Sequence, residues 1–94
     1  MKQFTRAFIL IQTESMHEKD VIENLLKMDE VIEAHMITGE YDVLAVVQSK
    51  RLFLEADYNV VFNSAIAKVE SLPHVLDTNT IIGMASKTKI SEST

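Results

Sequence analysis

Three histidines, His17, His35 and His74, are the first residues to weigh for chemistry, because neutral imidazole is the commonest metal ligand and a ready general base. Their placement argues against both roles. His17 falls in the opening turn of a helix, His35 on an edge strand and His74 in a loop after a second helix, and no two share a metal-ligand spacing. The sequence therefore predicts no metal site, no cofactor and no catalytic residue. Asp29-Glu30 and Glu40-Tyr41-Asp42 bring carboxylates together, yet paired acids on turns are usually solvated, and no nucleophile or lysine is placed to work with them. Glycine occurs only at Gly39 and Gly83, which excludes a glycine-rich phosphate loop. Phe53, Tyr58 and Phe62 lie at helical spacing, as core or interface residues do, rather than as a base-stacking platform.

Two stretches survive: Thr38-Gly39-Glu40-Tyr41-Asp42 and Val75-Leu76-Asp77-Thr78-Asn79-Thr80. A tight turn exposes backbone N–H and C=O groups beside an acidic side chain, and alternate threonines on a strand put two hydroxyls on one face. Such groups suit a zwitterion. Its ammonium would meet Asp42 or turn carbonyls, and its carboxylate would take backbone N–H groups and threonine hydroxyls. The same residues also make an ordinary glycine turn and an ordinary threonine-rich edge strand, and on chemistry alone that bland reading is the commoner one.

The elements that would position these residues follow from periodicity. Phe4 to Thr13 reads as a strand. Ser15-Met16-His17-Glu18 has capping-box spacing and predicts a helix whose stripe is Val21, Ile22, Leu25 and Leu26, ending near Met28. Val31 to Thr38 alternates as a half-exposed strand, with Glu33 and His35 on one side and Ile32, Ala34 and Met36 on the other. Gly39-Glu40 fits a two-residue type II′ turn into a strand from Tyr41 to Gln48. A long helix is expected from about Leu52 to Ser71, burying Leu54, Tyr58, Val61, Ala65, Val69 and Leu72 and stopped by Pro73 and His74. A last strand, Val75 to Ala85, precedes a polar tail. The order is that of an α+β, ferredoxin-like βαββαβ two-layer sandwich, with the domain over residues 1–86 and a disordered tail over 87–94.

With 94 residues, 47% of them hydrophobic, there is one core and no room for a second. Nine basic against fourteen acidic residues give a net charge of -5, which opposes approach to a phosphate backbone or an anionic membrane, so direct nucleic-acid binding is not expected. Absence of cysteine removes disulfides and thiolate metal sites. The longest apolar runs, Ala7 to Ile11 and Val43 to Val47, are too short to span a bilayer, and no signal peptide is evident; a cytoplasmic location is the expectation.

Those two runs carry a further implication. In this fold the first and third strands are central, and a strand without polar alternation is covered on both faces. Two helices cover only one. A second copy of the sheet is the natural cover, at ~800 Å² per partner, so a dimeric α/β barrel is expected; the alternatives are a face that simply stays apolar or one that a ligand fills.

An alternating strand ending in Thr-Gly-Glu-Tyr-Asp, an apolar strand after it, and a later Val-x-x-Thr-x-Thr strand resemble the ligand-binding domain of the Lrp/AsnC regulators, from about Phe4 to Met84. The resemblance implies face-to-face dimers assembled further into rings, an octamer-like assembly, with an amino-acid effector in the clefts between dimers. Carried onto this sequence, the implied ligand-binding residues are Gly39, Tyr41, Asp42, Thr78 and Thr80. Asn79 alternates to the other face, and Asp77 maps onto no family role. Because the domain begins within the first few residues, no helix-turn-helix is expected, and the resemblance is to members that act by association with full-length relatives. Two alternatives stay open: a small dimeric enzyme of monooxygenase or isomerase type sharing this architecture, disfavoured by purely aliphatic central strands, and an oligomerisation module with no ligand.

Overall fold

The computed structural model describes residues 4–49 and 58–86. Its elements run β1 (Phe4–Thr13), α1 (Glu18–Leu26), β2 (Val31–Met36), β3 (Val43–Ser49), α2 (Tyr58–Glu70) and β4 (Val75–Ser86). All strand pairs are antiparallel and the order across the sheet is β2-β3-β1-β4, so the two uninterrupted apolar runs are central as expected. This is the ferredoxin-like fold.

Period-two alternation divides β1 cleanly. Ala7, Ile9 and Ile11 are fully buried, as are Val43 opposite Ile11 and Ala45 opposite Ile9. They form one core with Val21 and Leu25 of α1 and with Phe62, Ala65 and Val69 of α2, which identifies this as the helix-covered face. The α2 stripe thus turns on Phe62. The expected start at Leu52, the contribution of Leu54, the side chains of Tyr58 and Val61, and the tail from residue 87 lie outside the described residues.

Two local expectations need correction. The capping box does not form: α1 begins at Glu18 with His17 as N-cap and no side-chain cap. Ser15 and Met16 instead belong to a turn in which the His17 N–H donates to the Glu14 carbonyl at 3.1 Å and Met16 takes φ 74°. That turn leaves Ser15 upstream of the cap. Glu18 and Asp20 in the first turn still meet the positive end of the helix dipole.

Nor is the β2–β3 connection a two-residue hairpin. β2 stops at Met36 and β3 starts at Val43, with the intervening loop closed by Ile37 N–H donating to the Asp42 carbonyl at 2.9 Å. Gly39 does take a positive φ, 115°, where a side chain would strain the backbone. What lengthens the loop is Asp42. Its N–H donates to the Ile11 carbonyl at 2.9 Å and its carboxylate accepts from Thr13, so it belongs to the end of β1 rather than to a turn.

Candidate functional site

The β1 C-terminus is where the sequence-predicted residues gather. Asp42 Oδ2 accepts the Thr13 N–H at 2.9 Å and lies 3.5 Å from Thr13 Oγ1, with Thr13 almost fully buried. A carboxylate satisfying a strand-end donor pins the loop to the sheet and fixes its shape. Its other oxygen has no hydrogen-bond partner among the described residues. Tyr41 is half-buried beside it, while Thr38, Gly39 and Glu40 are exposed.

Thr78 and Thr80 lie on the far side of β1. Thr78 stands opposite Ile11 and Thr80 opposite Ile9, which places both on the helix face, with Asp77, Asn79 and Ile81 on the other. Thr78 is not a free donor. Its hydroxyl donates to Glu70 Oε2 at 3.2 Å, at the rim of an open cleft of about 210 Å³ lined by Glu70, Val75, Leu76, Asp77 and Thr78. Two carboxylates make this cleft attractive to a cation rather than to the carboxylate that the sequence reading assigned to Thr78. The loop and the threonines share one end of the sheet but are separated by the width of β1, roughly 10 Å across two strand spacings. Within one chain they stand on opposite sides of that strand.

Sequence reasoning also missed the meeting of two histidines. Thr13 pairs with Val75, so Glu14 and His74 become neighbours, and the His17 and His74 rings stack with centroids 3.7 Å apart. Spacing along the chain carried no sign of it. The antiparallel pairing of β1 with β4 is the signal that could have found it.

The face away from the helices is apolar at its centre. Phe8 and Leu10 of β1 stand opposite Val46 and Leu44 of β3 and opposite Ile81 and Asn79 of β4. Phe8, Leu10 and Leu44 are half-buried and Ile81 is 53% exposed. Around them lie polar groups: Arg6 Nε donates to Gln48 Oε1 at 2.8 Å, and His35 Nε2 is 2.9 Å from Glu33 Oε1. An apolar centre inside a polar rim is the layout of a protein interface. No described helix is long and apolar enough to cross a membrane.

Comparison with known proteins gives a consistent result. The sequence profile of the Lrp/AsnC ligand binding domain matches residues 6–91. The "HTH-type transcriptional regulator FL11" of Pyrococcus abyssi is 29% identical over 86 residues, 92% of this chain and 52% of that protein; the chain thus spans about half the length of the curated relatives it matches. Among solved structures, "hypothetical protein PHS023" from Pyrococcus horikoshii is 35% identical with TM-score 0.68, over 84% of this chain and 88% of that one. "Transcriptional Regulator NMB0573/L-Met Complex" from Neisseria meningitidis shares the fold, with TM-score 0.64 at 20% identity over 94% of this chain and 53% of that one.

Proposed function

The chain belongs to the Lrp/AsnC ligand-binding domain family, and from that premise we infer that it is a regulatory module that binds a free amino acid and transmits its presence through assembly. The effector's class is drawn from the L-Met complex of the Neisseria meningitidis regulator. Transcription is the process served, because the curated relatives are transcriptional regulators.

One observation carries the placement. The Gly39–Asp42 loop is pinned in a defined shape at the same sheet end as Thr78, yet β1 separates the two. An α-amino acid carries its ammonium and carboxylate one carbon apart, so it cannot touch both groups of one chain. It can touch the loop of one copy and the β4 region of another. Gly39, Tyr41 and Asp42 then form one wall, with the second oxygen of Asp42 facing the ammonium and the exposed loop amides facing the carboxylate. Thr78 and Thr80 belong to the opposite wall. Such a site couples binding to assembly, since the ligand favours only the assembled state.

Assembly begins on the open sheet face. Two copies packed through Phe8, Leu10, Leu44 and Ile81 form the dimeric barrel, and dimers associate further into an octamer-like ring or with longer family regulators. In this reading the chain binds and does not catalyse.

A thermal-shift screen against the twenty amino acids tests the ligand. One or a few at millimolar concentration raise the melting temperature, because they bind only the native state. Asp42→Asn, which retains an oxygen for the Thr13 N–H but removes the charge, and Tyr41→Ala abolish the rise. If no amino acid stabilises the protein, the chain is an assembly module without this ligand.

A further inference from the structure

The turns β1–α1 and α2–β4 are tied together by the Glu14 N–H donating to the His74 carbonyl at 2.9 Å. His74 takes φ 71° and Met16, beside His17, φ 74°; left-handed backbone at non-glycine residues persists where the surroundings hold it. The two imidazoles lie face to face, 7° from parallel. Each also meets a carboxylate through Nδ1: Asp20 Oδ2 is 3.0 Å from His17, and Glu14 Oε1 is 2.7 Å from His74. Two nitrogen ligands and two carboxylates are thus drawn together from two segments far apart in the chain.

We propose that His17, Asp20 and His74 form a binding site for a zinc-class transition-metal ion, with Glu14 orienting His74. One ligand atom from each of the three lies within 4.8 Å of the others. Ligands around tetrahedral zinc, at bonds of about 2.0–2.2 Å, sit roughly 3.3 Å apart, so His17 and Asp20 are already at ligand spacing and His74 closes on them. Near-parallel rings do not yet aim their in-plane lone pairs at one point. Binding requires the two rings to unstack and turn toward one point, for which the His17 and His74 side chains, 38% and 33% exposed, have room. Glu14 on Nδ1 leaves Nε2 of His74 to the ion, the arrangement in which a carboxylate fixes the tautomer of a metal-bound histidine.

The donor set selects the ion. Imidazole with a single carboxylate suits zinc, copper and nickel, whereas magnesium and calcium require oxygen ligands. A histidine ligates a metal ion through an unprotonated ring nitrogen and a carboxylate through its ionised form, so binding is weaker in acid. Three protein ligands leave a coordination position for water. Bound there, the ion staples both turns beside Thr13, the residue that anchors Asp42. The site stands independently of the amino-acid reading.

Calorimetric titration of untagged, chelator-treated protein with zinc chloride, and the visible absorption of its cobalt(II) form, test the proposal. One ion per chain binds with micromolar or tighter affinity, magnesium does not compete, and cobalt gives a tetrahedral spectrum. His17→Gln and His74→Asn abolish binding; asparagine at position 74 tolerates the left-handed backbone. Glu14→Gln weakens it by about 10- to 100-fold. His35→Gln, remote from the cluster, leaves it unchanged. Denaturation midpoints measured in chelator confirm that the variants are folded, and Asp20→Asn provides a further ligand deletion. The proposal is overturned by no zinc binding at 100 µM, by retention of binding in the His17 and His74 variants, or by half an ion per chain, which marks a site between molecules.

Discussion

The two faces of the sheet use nearly the same residue types to opposite ends. On the helix side Ala7, Ile9, Ile11, Val43 and Ala45 have no exposed surface. On the other side Phe8, Leu10 and Leu44 are only half-buried, and Ile81 is 53% exposed. Hydrophobicity by itself does not say whether a residue completes a core or waits for a partner; the face does. Here the chain finishes one core with its own helices and leaves the other face partly open.

Adjacent residues of β1 give the most direct test of that contrast. Ile9→Ala opens a cavity in the sealed core and costs about 2–5 kcal/mol, read as a fall in the chemical-denaturation midpoint at any protein concentration. Leu10→Ala, one residue along, is expected to lower stability only where copies associate, so its cost shrinks on dilution. Equal, concentration-independent losses would show that the open face is as finished as the sealed one. A stronger perturbation, Leu44→Lys, places a charge at the centre of the open patch; in sedimentation it leaves a folded species smaller than the wild-type assembly. An unchanged sedimentation coefficient would remove this face from the interface.

The sheet and its central strands were legible because uninterrupted apolar runs at Ala7–Ile11 and Val43–Val47 have few other homes in a chain of this length. Helix α1 was legible in its stripe but not in its start, since a serine and a glutamate at capping distance promise a box only if the backbone between them is helical. Met16 in left-handed backbone breaks that condition. The Gly39 turn was found for the right reason and given the wrong length. Asp42 was read as a ligand for an ammonium, whereas one of its oxygens is committed to Thr13, 29 residues away in sequence. Thr78 is likewise engaged by Glu70. Periodicity reports which face a residue occupies; it cannot report which polar group will find it across the sheet.

Asp42 sharpens the comparison from the edge of the sealed face. Asp42→Ala leaves the buried Thr13 N–H without its acceptor and is expected to cost about 1–3 kcal/mol. Asp42→Asn should recover most of that, because an amide oxygen still accepts. If the two substitutions are equally costly, the charge rather than the hydrogen bond holds the loop. Gly39→Ala, where nothing lies within 4 Å of the added carbon, isolates the backbone term and should cost about 1–2 kcal/mol for the positive φ alone.

The smallest expected effect concerns the outer surface of the sealed face, where Lys68 Nζ of α2 donates to Glu30 Oε2 at 2.7 Å across the helix layer. This hydrogen bond holds the Glu30 carboxyl below its ordinary range, with the charge of Lys68 adding to it and slight desolvation opposing. Lowered in the folded state, the group contributes stability that is fully present above its unfolded pKa and is lost as pH falls through the folded one. Both side chains are substantially exposed, at 55% and 31%, so solvent screens the pair. Lys68→Met should therefore cost only about 0.2–1 kcal/mol at neutral pH, and the variant's deficit should disappear in acid as Glu30 becomes protonated. Parallel wild-type and variant denaturation curves from pH 7 to 2 check this. A deficit as large as that of Ile9→Ala would mean that the helix layer is latched to the sheet by charge, and the sealed face would owe its closure to something other than the burial of its aliphatic side chains.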